Sequence, residues 1–203
     1  GLVFSYKPQM TPDPFVLPRL SRIYGGIDIG TSSPTCLLLC GLDDAGAMWV
    51  FKEYYQRRAN MHDWMRVVGE WTEEYRVQTW FIDSAADLEL AAMQAAGFDA
   101  RPSIKQNDAA VTAVNFLNSK MTRKQFWLSP ECPNLKAELL TYQYKEIAEG
   151  FEKTFIDKVK PNQRDHAIDA LRYATLPLAA QQYTQQQQVE ITFGAHRPLM
   201  RAS

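Results

Sequence analysis

Seven residues, Thr35-Cys-Leu-Leu-Leu-Cys-Gly41, run almost wholly apolar between turn-forming neighbours. A strand with one wet face alternates apolar and polar side chains. One with no polar face belongs in the middle of a sheet covered on both sides. The run therefore demands partner strands to either side and packed layers above and below. Candidates lie next to it: residues 22–29 before it, and residues 48–55 beyond the turn at Asp43-Asp44-Ala45-Gly46. Three strands joined by short turns predict an antiparallel meander.

Beyond the meander, strand and helix patterns alternate. Trp64, Val67, Val68 and Trp71 give residues 60–75 one buried helical side. A strand over 77–82 delivers Asp83, and an Ala- and Leu-rich helix over 87–96 stops at Gly97. Next come a short strand over 100–104, a helix over 107–121 capped by Asn107 or Asp108, a strand over 125–128 and a helix over 134–142. Residues 142–160 read as a hairpin or flap. A last helix follows, with Asn162 as N-cap and Pro177 as its first interruption. Residues 1–20 carry four prolines and read as an extended lead-in or linker. Residues 21–180 read as the domain, and the Gln-rich 181–203 as a flexible tail. A start on Gly1 leads us to expect a piece of a longer polypeptide.

The fold class is α/β, and the order of elements resembles the ribonuclease H-like fold. That fold is a mixed sheet, antiparallel meander plus parallel strands, flanked by helices on both faces. Composition narrows function less. A net charge of −1 gives no global support for nucleic-acid binding, so any such contact must rest on a local patch. Three scattered cysteines fit reduced, buried thiols rather than disulfides or a zinc site. No stretch approaches the roughly 18 apolar residues of a membrane span, and there is no signal pattern, so a cytosolic protein is expected.

Four acids stand out. Asp28 lies in the first strand, Asp83 ends the fourth, and Asp165 and Asp169 sit four apart on the last helix with His166 beside them. Each has an ordinary reading: a turn former, a loop or cap acid, a dipole-complementing or surface acid. Together, on elements that this topology brings to one edge, they read as a carboxylate cluster. Such a cluster would repel itself unless divalent cations intervened, and hard oxygen donors suit Mg²⁺ or Mn²⁺.

The strings Gly26-Ile-Asp-Ile-Gly30, Phe81-Ile-Asp-Ser84 and Asp165-His-Ala-Ile-Asp-Ala-Leu-Arg-Tyr-Ala174 resemble the nuclease domain of the large terminase subunit of tailed bacteriophages. Gly1-Leu-Val-Phe4 is similar to the segment at which that domain begins. The Asp-His-x-x-Asp-Ala-Leu-Arg-Tyr string is the specific part. The resemblance implies a metal-dependent endonuclease that cuts concatemeric double-stranded DNA during packaging, with little sequence specificity, in the host cytoplasm. It implies Asp28, Asp83 and Asp169 as ligands of two Mg²⁺ or Mn²⁺ ions, with Asp165 or His166 auxiliary. The implied partners are an N-terminal packaging ATPase domain, the portal and the small terminase subunit. No Gly-x-x-x-x-Gly-Lys-Ser/Thr string occurs in this chain, so the motor half is expected to lie outside it.

Candidate DNA contacts are Arg57-Arg58, Arg123-Lys124, Lys105, and the run Lys153, Lys158, Lys160 and Arg164 that leads into the acidic helix. Two other readings compete. Gly25-Gly-Ile-Asp-Ile-Gly-Thr-Ser-Ser33 also resembles the first phosphate loop of the actin and sugar-kinase superfamily, which would make this an ATP-binding domain. Another ribonuclease H-like nuclease, such as a junction resolvase, would share the acids.

Overall fold

The computed structural model describes residues 1–104, 109–144 and 161–194, with side chains as far as 180. After a short 3-10 turn at Pro8–Met10, the elements are β1 (Leu20–Asp28), β2 (Pro34–Asp43), β3 (Met48–Arg57), α1 (Met61–Tyr75), β4 (Thr79–Ile82), α2 (Asp87–Ala95), β5 (Ala100–Pro102), α3 (Ala109–Thr122), β6 (Phe126–Leu128), α4 (Pro133–Thr141) and α5 (His166–Gly194). The strands form one sheet in the order β5-β4-β1-β2-β3-β6. β1–β2 and β2–β3 are antiparallel, while β4 on β1, β5 on β4 and β6 on β3 are parallel. The meander with parallel additions is the arrangement that the order of elements predicts. Both edges end in three-residue strands.

β2 occupies the interior of the sheet because both of its faces are apolar. Leu37 and Leu39 enter one core with Ile27, Trp64, Val68, Trp80 and Met93, under α1 and α2. Cys36, Leu38 and Cys40 enter the other with Leu117, Leu135, Ala167, Ile168 and Leu171, under α3, α4 and α5. The period-two alternation thus feeds two separate hydrophobic layers. Residues of the Pro-rich lead-in take part: Val3, Phe4, Tyr6 and Met10 are buried in the second core. The Val3 N–H donates to the Tyr142 carbonyl at 2.9 Å, and Leu2 bridges Gln143.

Two expectations for α5 change. Asn162 is not its cap; it sits in a turn with φ 58°, a left-handed conformation that Asn tolerates, and the helix begins at His166. Nor does Pro177 end it. Thr175, Leu176, Leu178 and Ala179 are all buried around the proline, and that packing outweighs its local cost of about 3 kcal/mol. The helix continues to Gly194, through the stretch read as a flexible tail; glutamine is a good helix former. The caps proposed at Asn107 or Asp108, and the hairpin or flap from residue 145 on, lie outside the described residues.

α5 lies directly on β1, and Gly26 permits it. A Cβ at Gly26 would stand 1.8 Å from the Ala170 carbonyl oxygen and 3.1 Å from the Ala174 Cβ. Neither the helix backbone nor the sheet can give by that much without opening the second core. Gly26→Ala is expected to lower the free energy of unfolding by at least about 1–3 kcal/mol, the range for an overpacked core. Urea denaturation measures this, and a variant as stable as the parent would contradict the close approach.

Candidate active site

β1 and β4 deliver two acids side by side. Ile27 pairs with Ile82, and the Asp83 N–H donates to the Ile27 carbonyl at 3.2 Å, so Asp28 and Asp83 leave adjacent strand ends. Ile27 and Ile82 point into the α1–α2 core, and alternation turns Asp28 to the α5 face. On that face Asp28, Cys36 and Tyr55 form one row across β1, β2 and β3. His166 lies over the row. Its Nδ1 is 2.9 Å from Asp28 Oδ2, and its ring meets that of Tyr55 edge-on at 6.3 Å.

The first turn of α5 is held by a buried carboxylate from α4. Glu138 Oε2 accepts the N–H groups of Ala167 and Ile168 at 2.9 and 3.0 Å, and its Oε1 accepts the Tyr55 hydroxyl at 2.9 Å. These are the orphan donors that every helix start leaves, and a carboxylate also complements the dipole there. Asp165 occupies the flanking position, with its carbonyl accepting the Asp169 N–H at 2.7 Å. Upstream, the Gln163 side chain pairs with both backbone groups of Gln143, at 2.7 and 2.9 Å. A segment lacking helical bonds of its own is thereby fixed just before the acids.

Charge in this corner is poorly solvated. Burial pushes the Asp169 carboxyl up to about 7 from 3.8, aided by Asp165 and Asp28 and opposed by Arg172, which pairs with it. Burial also raises Asp165, against the pull of His166, while the hydrogen bond to Asp28 raises His166. The Tyr173 hydroxyl is pushed up by burial first, then by Asp169, Asp28 and Asp83, so three of the four acids act on one phenol. Arg172 Nε is buried without a hydrogen-bond partner among the described residues.

Asp83 has a local structural role as well. Its Oδ1 accepts the Ala85 N–H at 3.0 Å in a tight turn ahead of α2, the ordinary role for an acid at that place. Among the described residues, no three His, Cys, Asp or Glu side chains stand close enough to hold a metal ion together. The donor chemistry nonetheless suits a hard cation: Asp28, Asp165 and Asp169 are oxygen donors, Asp28 adds to the proton affinity of both acids on α5 and Asp165 to that of Asp169, and His166 and Arg172 offset them in part. Of the cationic candidates, Arg57 and Arg164 reach this end of the sheet. Arg123 and Lys124 lie at the Met48 end of β3, away from it. Lys105, Lys153, Lys158 and Lys160 lie outside the described residues.

Sequence reasoning missed Glu138, Tyr55 and Arg172. Glu138 had a legible signal, since it shares its helix face with Leu135 and Leu139, where an acid needs buried partners. Tyr55 and Arg172 had none, because each is ordinary for its element until Glu138 and Asp169 are placed beside it.

A family model described as the terminase RNase H-like domain matches residues 28–176. The large terminase subunit of Escherichia phage T5 is 28% identical over 154 residues, covering 73% of this chain and 33% of that protein. The large terminase of a thermophilic bacteriophage superposes with a TM-score of 0.71 at 19% identity, over 88% of this chain and 45% of that one. The nuclease domain of the P22 large terminase does so at 0.67 and 14%, over 87% and 91%. That of the bacteriophage SPP1 large terminase, solved with bound Mn, gives 0.60 and 17%, over 77% and 86%. The chain thus spans about a third of the curated relative and under half of the thermophilic phage's protein.

Two outcomes follow from the helix start and its charges. Glu138→Ala leaves two buried N–H donors unpaired and should cost about 1–3 kcal/mol in urea unfolding, with Glu138→Gln losing less. A carboxyl whose value in the folded state lies above its unfolded one favours folding while protonated. Asp169 therefore makes the metal-free protein less stable as pH rises from about 4 through about 7. His166 acts in the same direction above its ordinary 6.5. Unfolding free energies compared at about pH 5 and about pH 8 should show the fall in the parent and a smaller one in Asp169→Asn. Equal slopes would remove Asp169 from the account.

Proposed function

Because the chain belongs to the terminase RNase H-like domain family, we propose that it is the divalent-metal-dependent endonuclease part of a DNA-packaging large terminase, cutting concatemeric double-stranded DNA with little sequence specificity. What supports this reading is that Asp28 and Asp165 both add to the proton affinity of Asp169 where α5 crosses the end of β1, with Asp83 on the neighbouring strand end. Asp28, Asp83 and Asp169 would hold Mg²⁺ or Mn²⁺, two ions in all, with Asp165 or His166 as the auxiliary ligand. Bound there, the ions would supply a hydroxide nucleophile near neutral pH and offset charge on the departing oxygen.

The chain's own residues account for the rest. Gly26 sets the depth at which α5 lies, and Glu138 fixes the turn that carries His166. His166 orients the Asp28 carboxylate through Nδ1. Asp169 is paired with Arg172 through Oδ1, so a cation taking that oxygen would have to displace the guanidinium. The relatives solved with manganese and cobalt bound support metal use by this family's nuclease domains. The thermophilic phage's large terminase, solved with ADP and with ATP-γ-S, supports a partner ATPase domain elsewhere in a longer chain. The portal and the small terminase subunit would be further partners, in the host cytoplasm.

Supercoiled plasmid incubated with Mg²⁺ or Mn²⁺ tests the reading. The parent should nick and linearise it. Asp28→Asn, Asp83→Asn and Asp169→Asn should each lose activity by at least about 100-fold while keeping their circular dichroism. Variants that cut as well as the parent would end the assignment.

A further inference from the structure

Beside the acids lies a cleft of about 290 Å³ lined by Pro34, Tyr55, Arg57, Asn134, Arg164 and His166. It is at the small end of ligand pockets, which run from roughly 300 to 1,000 Å³. Its walls come from far apart in the chain. Arg57 faces Pro34 at the open end of the β2–β3 pair, and Arg164 arrives on the segment that leads into α5. Two guanidiniums thus share one opening.

The hydrogen-bonding state of the lining narrows what can enter. The Tyr55 hydroxyl is committed to Glu138, and Asn134 gives both its backbone N–H and its Nδ2 to Glu53 Oε1 at 3.1 and 2.8 Å. Among the described residues, neither Arg57 nor Arg164 enters an ion pair or a side-chain hydrogen bond, whereas Arg66, Arg101 and Arg172 each have an acid partner. The donors left over are therefore cationic forks, the groups that match phosphate oxygens in pairs. The Pro34 and Tyr55 rings supply apolar wall for a sugar.

We infer that this cleft grips a backbone phosphodiester of the DNA strand, adjacent to the one that is cut, through Arg57 and Arg164. This rests on the nuclease reading and deepens it. His166 lines the cleft and bonds Asp28, so a phosphate held here lies one side chain away from the acids. The contact positions the strand and reads no sequence.

Binding of a fluorescent blunt duplex to the full chain, followed by anisotropy in EDTA over a salt series, separates the possibilities. Arg57→Gln and Arg164→Gln should each weaken binding by about threefold to tenfold. Each should also lower the slope of log affinity against log salt by about 0.9. Arg66→Gln, an exposed charge on α1, should bind within about twofold of the parent. In plasmid cleavage, the DNA concentration at half-maximal rate should rise for the two cleft variants. If the parent binds and cuts but both cleft variants bind like Arg66→Gln, the cleft is not a phosphate site and the nuclease reading stands. A parent that neither binds duplex nor cuts it overturns both.

Discussion

The carboxylate of Glu138 is the contact on which the site depends. It is nearly inaccessible to water, and burial raises its proton affinity. Two backbone N–H groups of α5 and the Tyr55 hydroxyl compensate it. A similar device lies one element earlier: Glu53 on β3 accepts the Asn134 and Leu135 N–H groups and so caps α4. The sheet thus fixes α4, α4 fixes α5, and α5 places His166 against Asp28. Each link is a carboxylate at a helix start, where geometry and dipole act together.

What the sequence made legible follows from this chain of supports. β2 announced its central place because both faces are apolar, and Asp28 was conspicuous as an acid within a strand between two isoleucines. Asp165, His166 and Asp169 were legible as a string. Their presentation was not, because the helix start depends on Glu138, some 30 positions earlier, rather than on Asn162. Local cap preference pointed to the nearest Asn, and tertiary contact chose otherwise. Asp83 was legible as a strand-end acid, but its turn role is a property of the folded chain. The helix past Pro177 escaped notice for the same kind of reason, since a proline's local cost says nothing about the core around it.

Electrostatically the site is an acid cluster held in partial balance. His166 is hydrogen-bonded to Asp28 on one side, and Arg172 pairs with Asp169 on the other. Both partners come from α5 itself, so the helix carries its own compensation and can pack against the sheet without help from a bound ion. A bound cation would therefore compete with His166 and Arg172 for oxygen atoms of Asp28 and Asp169.

The two short edge strands have a consequence for the molecule in company. β5 and β6 each offer only three residues of ladder to a passing chain, and β5 ends in a proline that has no N–H to give. A sheet that tapers in this way resists growing sideways into a neighbour. That protects a protein whose central strand, once exposed, would be among the stickiest sequences in the chain.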